Sequence, residues 1–241
     1  MIIKNNFLII TILSSAFVVG MEEANNFPQI FFLNGPSSSG KTTLALQLQH
    51  ALQPHAYYIK SYDEFRENDL VKRVKENNLV PDNYVFTTVH TLFEDVNSAI
   101  NNTKDIDEQL LLRTLWVTSI EASSKAFYEH IHAAASQGNK LIVDTVVMNE
   151  QLQKQMETLR IYTMCTVFTR ITLDTLKERI AKRNLSDSPK EHRSLERIMR
   201  VYPLYCNQEG NPLYTHDIIV DTGALTPQEA AAYVINFYSR L

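Results

Sequence analysis

The stretch Leu33–Thr42 reads LNGPSSSGKT, and from its glycine onward it matches the pattern G-x-x-x-x-G-K-[ST] at every fixed position. The apolar run Gln29–Asn34 leads into this stretch and is typical of a buried strand. Leucines spaced along Lys41–Leu52 predict a helix that opens directly from the second glycine. A strand, a glycine-rich loop and a helix in this order are the context in which the pattern cradles phosphate groups. The sequence therefore predicts a phosphate-binding loop at residues 35–42.

Each residue type in this loop has a chemical use at its position. Glycines let successive backbone N–H groups curl around an anion, and the N-terminal end of the following helix adds partial positive charge. Lys41 is expected to bridge the β- and γ-phosphates of a nucleotide, and the Thr42 hydroxyl is expected to bind Mg²⁺. We therefore expect ATP and Mg²⁺ as ligands. The predicted nucleotide-binding residues are Gly35, Pro36, Ser37, Ser38, Ser39, Gly40, Lys41 and Thr42.

Apolar strands alternate with helices over the rest of the chain. The further predicted strands are His55–Ser61, Lys140–Thr145, Tyr162–Thr169 and Asp217–Asp221. Strands separated by helices form parallel sheets that are covered on both faces. The prediction is an α/β fold, a three-layer P-loop NTPase of the nucleoside-kinase-like type with a five-stranded parallel sheet flanked by helices. Thr226 is the predicted N-cap of a last helix, Pro227–Tyr238.

Two aspartates follow predicted strands at the edge where open parallel sheets bind ligands. Asp144 ends an apolar strand, where its carboxylate is expected to hold Mg²⁺ through water. The alternative for Asp144 is an aspartate that only caps a loop. Asp63 follows the second strand and is expected to accept the proton of an attacking hydroxyl. The alternatives there are an N-cap of the next helix, a position that aspartate favours, and catalysis by the neighbouring Glu64.

A basic helix–loop–helix is predicted late in the chain. Arg179 and Arg183 lie four residues apart on one face of the predicted helix Leu173–Arg183. We expect residues 184–200 to form a lid over ATP, with both arginines neutralising charge on the transferred phosphoryl group. The alternative is a basic helix that only faces solvent. The lid would contain the polar loop Asn184–Pro189 and, in and before a second helix, the arginines Arg193, Arg197 and Arg200.

The middle segment, residues 78–137, is predicted to be helical and to form the acceptor side of the site. The helical pattern covers Val85–Ala135 and has a polar interruption at Asn101–Asp107. Trp116 lies among several leucines, which could line an acceptor pocket, although such a stripe is more often core. We favour the core interpretation. The leucines are Leu110, Leu111, Leu112 and Leu115.

The composition is that of an ordinary globular protein. Of 241 residues, 44% are hydrophobic and 21% are charged, which excludes a disordered, collagen-like or coiled-coil chain. The formal net charge is −4 and the sequence has no basic tract, so no nucleic-acid partner is expected. The composition does not indicate an oligomeric state.

Five motifs lie in order along the chain: LNGPSSSGKT (Leu33–Thr42), YDEF (Tyr62–Phe65), IVDTV (Ile142–Val146), LKERIAKR (Leu176–Arg183) and HDIIVDT (His216–Thr222). In these motifs the chain resembles the chloramphenicol phosphotransferase-like family of P-loop kinases, over about residues 29–240. The resemblance implies that Asp63 is the catalytic base, that Lys41 and Thr42 belong to the nucleotide site, and that Arg179 and Arg183 are lid arginines. The family lid often continues R-G-D-R, whereas Arg183 is followed here by Asn-Leu-Ser, so lid chemistry could move to Arg193 or Arg197.

The expected function is an ATP-dependent phosphotransferase that moves the γ-phosphate to a hydroxyl of a small molecule, with Asp63, Lys41, Arg183 and Arg179 as catalytic residues. One alternative is a zeta-toxin-like or nucleotide-type kinase. A nucleotide acceptor favours further basic residues in the middle segment, where Arg113 is the only arginine. Another alternative is a non-catalytic nucleotide-binding switch or interaction protein. Retained nucleotide without acceptor-dependent turnover would favour that class.

The first residues of the chain are unlike the rest. Lys4 precedes the apolar run Phe7–Val19, which is shorter than the about 20 residues that a transmembrane helix needs. A basic start and a short apolar centre are typical of a secretory signal peptide over residues 1–20. The alternatives are an uncleaved segment that contacts a membrane and a translation start at Met21, ahead of a kinase domain over residues 21–241. A signal peptide indicates secretion whereas ATP chemistry indicates a cytosol, so the sequence leaves the compartment open.

Overall fold

The computed structural model describes residues 27–81, 83–85, 89–147, 149–186, 195–206 and 216–240. The predicted signal peptide and the alternative start at Met21 lie outside the described residues, as do positions 187–194 of the predicted lid. Among the helices that are described, none is both long and apolar enough to cross a membrane.

The predicted strands form a single parallel sheet, which confirms the predicted fold class. The strands are β1 (Ile30–Asn34), β2 (Tyr57–Ser61), β3 (Lys140–Asp144), β4 (Met164–Arg170) and β5 (Ile218–Asp221). Their order in the sheet is β2-β3-β1-β4-β5, with every neighbouring pair parallel. β1 lies in the centre because its apolar residues can be buried on both faces, and each of its residues is buried.

Helices cover the sheet on both faces. Two short 3₁₀ turns, Gln53–His55 and Thr158–Ile161, precede β2 and β4. Thr226 caps the last helix in a capping box with Glu229, which confirms the predicted N-cap. The α-helices are α1 (Lys41–Ala51), α2 (Tyr62–Glu76), α3 (Val89–Asn102), α4 (Ile106–Ser136), α5 (Glu150–Glu157), α6 (Leu173–Ser186), α7 (Leu195–Cys206) and α8 (Pro227–Tyr238).

The central strand divides the main core into two layers. Phe31 and Leu33 pack with residues of α1 and α8 on one face of the sheet. Ile30 and Phe32 pack with residues of α4 and α5 on the other face. Successive side chains of a strand point to opposite faces, and burying each large apolar side chain stabilises the fold by about 1.5–3 kcal/mol. The three layers therefore meet on β1, directly before the glycine-rich loop.

A separate apolar cluster joins α2, α3 and α4 beside the sheet. Trp116 is buried in this cluster, and its ring contacts the Phe93 ring at a centroid distance of 4.6 Å. Trp116 is therefore core, as favoured from the sequence. Leu110 and Leu111 are exposed by 65% and 58% and do not belong to this buried cluster. The other buried members of the cluster are Leu70, Val74, Leu79, Val80, Leu92, Val96 and Ile100.

Two helix ends differ from the prediction. α6 continues to Ser186, so the prediction of a loop from Asn184 was wrong by one turn, because isolated polar residues at a helix end do not stop it. α7 continues past the predicted end at Arg200 and contains Pro203. Tertiary contacts hold this last part, since the Tyr202 hydroxyl donates to the Ile171 carbonyl at 2.8 Å.

Candidate active site

The carboxyl ends of the three neighbouring strands β2, β3 and β1 lie level at one edge of the sheet. Asp144 is in register with Leu33 of β1 on one side and with Ser61 of β2 on the other. The glycine-rich loop starts two residues after Leu33, and Asp63 comes two residues after Ser61. The parallel register therefore brings the loop and both predicted aspartates to the same place.

The loop has a backbone shape that only glycine accommodates at its first position. Gly35 has a φ of +147°, and a Cβ there would lie 2.2 Å from Thr169 Oγ1. Gly40 has a φ of +94° and is the N-cap of α1. The first N–H groups of α1 therefore point into the loop and can donate to an anion.

Buried polar residues from three strand ends hold the loop in place. Asn34 Oδ1 accepts hydrogen bonds from the N–H groups of Gly35 and Val147, both at 2.8 Å. The Ser39 and Thr169 hydroxyls are hydrogen-bonded at 2.6 Å, and the Thr222 hydroxyl donates to the Ser39 carbonyl. The loop is thus preorganised by the protein itself, which lowers the cost of ordering it around a ligand.

The Lys41 ammonium lies inside the loop. Its Nζ donates to the carbonyls of Gly35 and Pro36, each at 2.9 Å, and the residue is only 7% exposed. A positive charge at the centre of a ring of backbone N–H groups attracts phosphate oxygens strongly. Lys41 is therefore placed where a β- or γ-phosphate would lie.

Thr42 and Asp144 form the floor of the cleft beside the loop. The Thr42 hydroxyl donates to Asp144 Oδ2 at 2.6 Å. Burial raises the pKa of Asp144, and the Asp63 charge adds to this, whereas the Lys41 charge and the Thr42 donor act in the opposite direction. Two adjacent oxygen ligands fit Mg²⁺, which takes its other ligands from water and phosphate.

Asp63 opens onto the same cleft from the start of α2. The helix is capped by Ser61, whose hydroxyl accepts from the Glu64 N–H at 3.4 Å, so the N-cap interpretation of Asp63 was wrong. Asp63 lines the cleft together with Lys41 and Asp144, whereas Glu64 does not line it. Asp63 is thus free to take a proton from a group bound between it and the loop.

Arg179 and Arg183 both line the cleft from α6. Arg179 donates from Nη1 to the Ser39 carbonyl at 3.2 Å and from Nη2 to the Thr222 carbonyl. The structure therefore places Arg179 against the loop, where it contacts the backbone, and Arg183 one turn farther along. Position 193 and the side chain of Arg197, the other predicted lid positions, lie outside the described residues.

The end of the cleft that contains Asp63 is built by the start of α2. Tyr62 is buried next to Asp63, and its hydroxyl is paired with the Ser124 hydroxyl at 2.6 Å. Burial raises the pKa of Glu67, and the charges of Asp63 and Glu64 raise it further. Burial also raises the pKa of Tyr205 on α7, with the Asp63 charge as the second cause. Glu67 and Tyr205 are therefore both electrostatically coupled to Asp63.

The cleft has a volume of about 330 Å³. Its far end, beyond the loop, is lined by the apolar side chains of Leu225, Pro227 and Ala230. An apolar end and a polar, charged end suit an amphipathic ligand such as a nucleotide, whose base is flat and whose phosphates are charged.

Three residues that hold the loop were missed in the sequence. They are Asn34, Thr169 and Thr222, all buried and all within one residue of a strand's carboxyl end. A buried polar residue at that position is the signal that could have found them, because its only partners are the neighbouring loops.

The fold is similar to those of solved kinases. Shikimate kinase from Acinetobacter baumannii in complex with shikimate has a TM-score of 0.51 and 12% identity, over 91% of this chain and 97% of that chain. The APS kinase of Mycobacterium tuberculosis in complex with AMPPNP and APS has a TM-score of 0.51 and 12% identity, over 87% and 96% of the two chains. An unliganded sugar kinase from Janibacter sp. has a TM-score of 0.50 and 12% identity, over 88% and 95%. At this identity the likeness shows the fold, which is that of the P-loop kinases.

A comparison with curated proteins found no match. The family model of chloramphenicol phosphotransferase-like proteins matches residues 28–239. This match spans the glycine-rich loop, both aspartates of the cleft and both arginines of α6. The chain therefore belongs to the chloramphenicol phosphotransferase-like family.

Proposed function

We propose that the protein is an ATP-dependent phosphotransferase that moves the γ-phosphate of ATP to a hydroxyl group of a small molecule. The observation that carries this proposal is the convergence of Lys41, Asp144 and Asp63 on one cleft beside a preorganised phosphate loop. Phosphoryl transfer requires little covalent chemistry from the protein, so positioning and charge are what a kinase site must supply.

The nucleotide would bind along the cleft with its base at the apolar end and its phosphates in the loop. The Lys41 ammonium would exchange its two carbonyl partners for β- and γ-phosphate oxygens. Thr42 and Asp144 would hold Mg²⁺, whose charge offsets that of the same oxygens. Arg179 is bonded to the loop backbone and would keep the loop in shape, whereas Arg183 would face the transferred group.

The acceptor would bind between Asp63 and the γ-phosphate. Its hydroxyl oxygen forms the new bond to the γ-phosphorus while the bond from that phosphorus to the β,γ-bridging oxygen breaks, and ADP leaves. The hydroxyl proton passes to the Asp63 carboxylate. General-base assistance of this kind contributes about 10²–10⁴-fold to the rate.

The test is γ-phosphate transfer from labelled ATP with Mg²⁺ to a panel of chloramphenicol, nucleosides, amino sugars and cell extract. Asp63→Asn should keep its affinity for ATP and lose about 10²–10⁴-fold in transfer rate. Glu64→Gln is the matched comparison, because it removes the neighbouring carboxylate, which lies outside the cleft.

The outcomes separate the alternatives. Full transfer by Asp63→Asn together with loss in Glu64→Gln would move the base to Glu64. Tight ATP binding with no product from any acceptor would contradict the kinase proposal and favour a nucleotide-binding switch. A labelled nucleotide as the product would identify a nucleotide-type kinase.

A further inference from the structure

Arg66 lies on the same face of α2 as Asp63, one helical turn deeper. Residues three apart on a helix are neighbours, with Cβ atoms about 5–6 Å apart. Farther along, this face buries Leu70 and Val74 in the cluster between α2, α3 and α4. Arg66 therefore lies between Asp63, which lines the cleft, and the apolar cluster that joins α2, α3 and α4.

The guanidinium of Arg66 is held by two aromatic rings. Its Cζ lies 4.7 Å from the centroid of the Phe93 ring on α3 and 5.6 Å from that of Tyr62. Phe93 is itself in edge contact with the buried Trp116, so the ring is well supported. A guanidinium that lies on aromatic rings keeps its N–H groups in one plane, where they can bind an anion in a bidentate manner.

Arg66 has no hydrogen bond or ion pair with any residue in the described part of the chain, and its buried Nε is one of the atoms left without a partner. Arg73, two turns along the same helix, donates from Nε to Asp69 at 2.6 Å. Leaving a buried charged donor unsatisfied is unfavourable, so a position that keeps one needs an explanation outside the chain's own contacts.

The neighbouring carboxylates do not form ion pairs with the Arg66 guanidinium. Glu67 lies about 100° around the helix from Arg66, and Arg66 leans toward the opposite side, onto Tyr62 and Phe93. Neither Glu67 nor Asp63 forms an ion pair with Arg66 among the described contacts. Arg66 is thus a cation that is held by two aromatic rings and forms no ion pair with the carboxylates at the start of α2.

We infer that Arg66 binds an anionic group, a carboxylate or a phosphate, on the acceptor molecule. The inference rests on the proposed function and narrows it to hydroxyl acceptors that carry a negative charge. Asp63 and Arg66 are separated by about 4.5 Å of rise along α2, so the reacting hydroxyl and the anionic group belong to one compact molecule. A neutral acceptor would leave the guanidinium without a partner.

The experiment starts from a metabolite extract that is separated on a strong anion exchanger into a retained and an unretained fraction. The full-length protein is given labelled ATP, Mg²⁺ and each fraction. We expect labelled product from the retained fraction. A portion of that fraction is treated beforehand with a phosphatase, which is then removed by filtration. Product that survives this treatment identifies a carboxylate, and product that disappears identifies a phosphate.

Two arginine variants test whether Arg66 is the group that binds the anion. Arg66→Gln should lower kcat/KM for the active fraction by about 10–100-fold, mostly through a higher KM, because a hydrogen bond to a charged group is worth roughly 1.5–3 kcal/mol. Arg66→Lys should recover part of the loss, since it restores the charge without the planar fork. Arg73→Gln, on the same helix and outside the site, is the control for folding and should match the unchanged protein.

Each remaining outcome overturns the inference. Product from the unretained fraction alone would contradict the anionic acceptor and leave the kinase proposal standing. Product from neither fraction would contradict the kinase proposal and this inference with it. Equal kcat/KM in Arg66→Gln and the unchanged protein, or equal losses in Arg66→Gln and Arg73→Gln, would show that Arg66 does not contact the acceptor.

Discussion

The two sides of the cleft satisfy their polar groups in opposite ways. On the nucleotide side, Asn34, Ser39 and Thr222 are buried, and their side chains are hydrogen-bonded to backbone groups or to the Thr169 hydroxyl. On the side proposed to bind the acceptor, Arg66 and Glu67 are half-buried charges that form no ion pair within the described part of the chain. Apart from the buried Ser38 hydroxyl, which has no partner among the described residues, the side chains that hold the loop are satisfied before a ligand binds. The side proposed to bind the acceptor keeps charges that no described residue pairs.

This difference matches what each side has to recognise. Every P-loop kinase binds the same phosphates, so a rigid loop built from strand ends suits all of them. The acceptor differs between kinases, and the acceptor proposed here would bind beside α2, which carries Asp63 and Arg66. Substitutions on the nucleotide side should therefore affect turnover with every acceptor, and those on the acceptor side should discriminate between acceptors.

Lys41→Ala has the largest expected effect. It removes the only cation that lies inside the loop among the described residues, so transfer from ATP should fall by on the order of 10³-fold with every acceptor tested. Lys72→Ala is the control, because the side chain of Lys72 is 74% exposed and lies on the outer face of α2. A loss with some acceptors and not with others would contradict the division of the cleft into two sides.

Gly35→Ala tests how tightly the nucleotide side is packed. The new Cβ would lie 2.2 Å from the Thr169 hydroxyl oxygen and 2.6 Å from the Thr169 carbonyl oxygen. Gly138→Ala is the matched control, since Gly138 also has a positive φ, +83°, but no atom lies within 4 Å of its added Cβ. Backbone strain costs about 1–3 kcal/mol in both variants.

Overpacking adds about 1–3 kcal/mol at Gly35 alone. Urea unfolding should therefore show that Gly35→Ala lowers the free energy of unfolding by that much more than Gly138→Ala does. Equal losses in the two variants would mean that the loop yields to the added methyl group, and the nucleotide side would then be no more rigid than an ordinary surface turn.

The features that could be predicted from the sequence are those encoded within a few residues of one another. The loop at residues 35–42, the strands and the N-cap at Thr226 depend on local patterns, and the structure has them. Asp144 and Asp63 could be placed at one edge because parallel strands end together. The hydrogen bond between Ser39 and Thr222 joins residues far apart in the chain and depends on the tertiary fold, so no local pattern announces it.

The contact partners of the Arg179 and Arg66 side chains likewise could not be predicted from the local sequence. The spacing of Arg179 and Arg183 predicts a shared helix face, but not that Arg179 donates to two backbone carbonyls of the loop region. Arg66 belongs to a helix with many charged residues, and its sequence neighbours give no sign that Phe93 lies beneath it. Which charges are satisfied depends on packing between helices, and packing is not periodic in the sequence.

Asp144→Asn has the smallest expected effect on stability. Asp144 lies where the nucleotide side of the cleft meets the side proposed to bind the acceptor. A carboxyl group whose pKa is raised by folding holds more protons in the folded than in the unfolded state, so its contribution to stability falls as the pH rises. This loss of stability begins as the pH rises through about 3.9, the ordinary pKa of aspartate, and continues at higher pH. At pH 7 the charged Asp144 therefore makes the protein less stable than a neutral isostere would.

Asp144→Asn should accordingly be more stable than the unchanged protein in urea at pH 7, and the difference should shrink as the pH is lowered toward 4. Mg²⁺-dependent transfer should fall by about 10–100-fold, as for residues that hold a metal through water. Asp174→Asn, at a side chain that is 91% exposed, should change the free energy of unfolding by less than about 0.5 kcal/mol. If Asp144→Asn is less stable at pH 7, the stabilisation of the Asp144 carboxylate by Lys41 and Thr42 exceeds the cost of burying its charge. Asp144 would then belong with the nucleotide-side residues whose polar groups are satisfied within the protein. A more stable Asp144→Asn would show that Asp144, like Arg66, keeps a charge at a cost in stability.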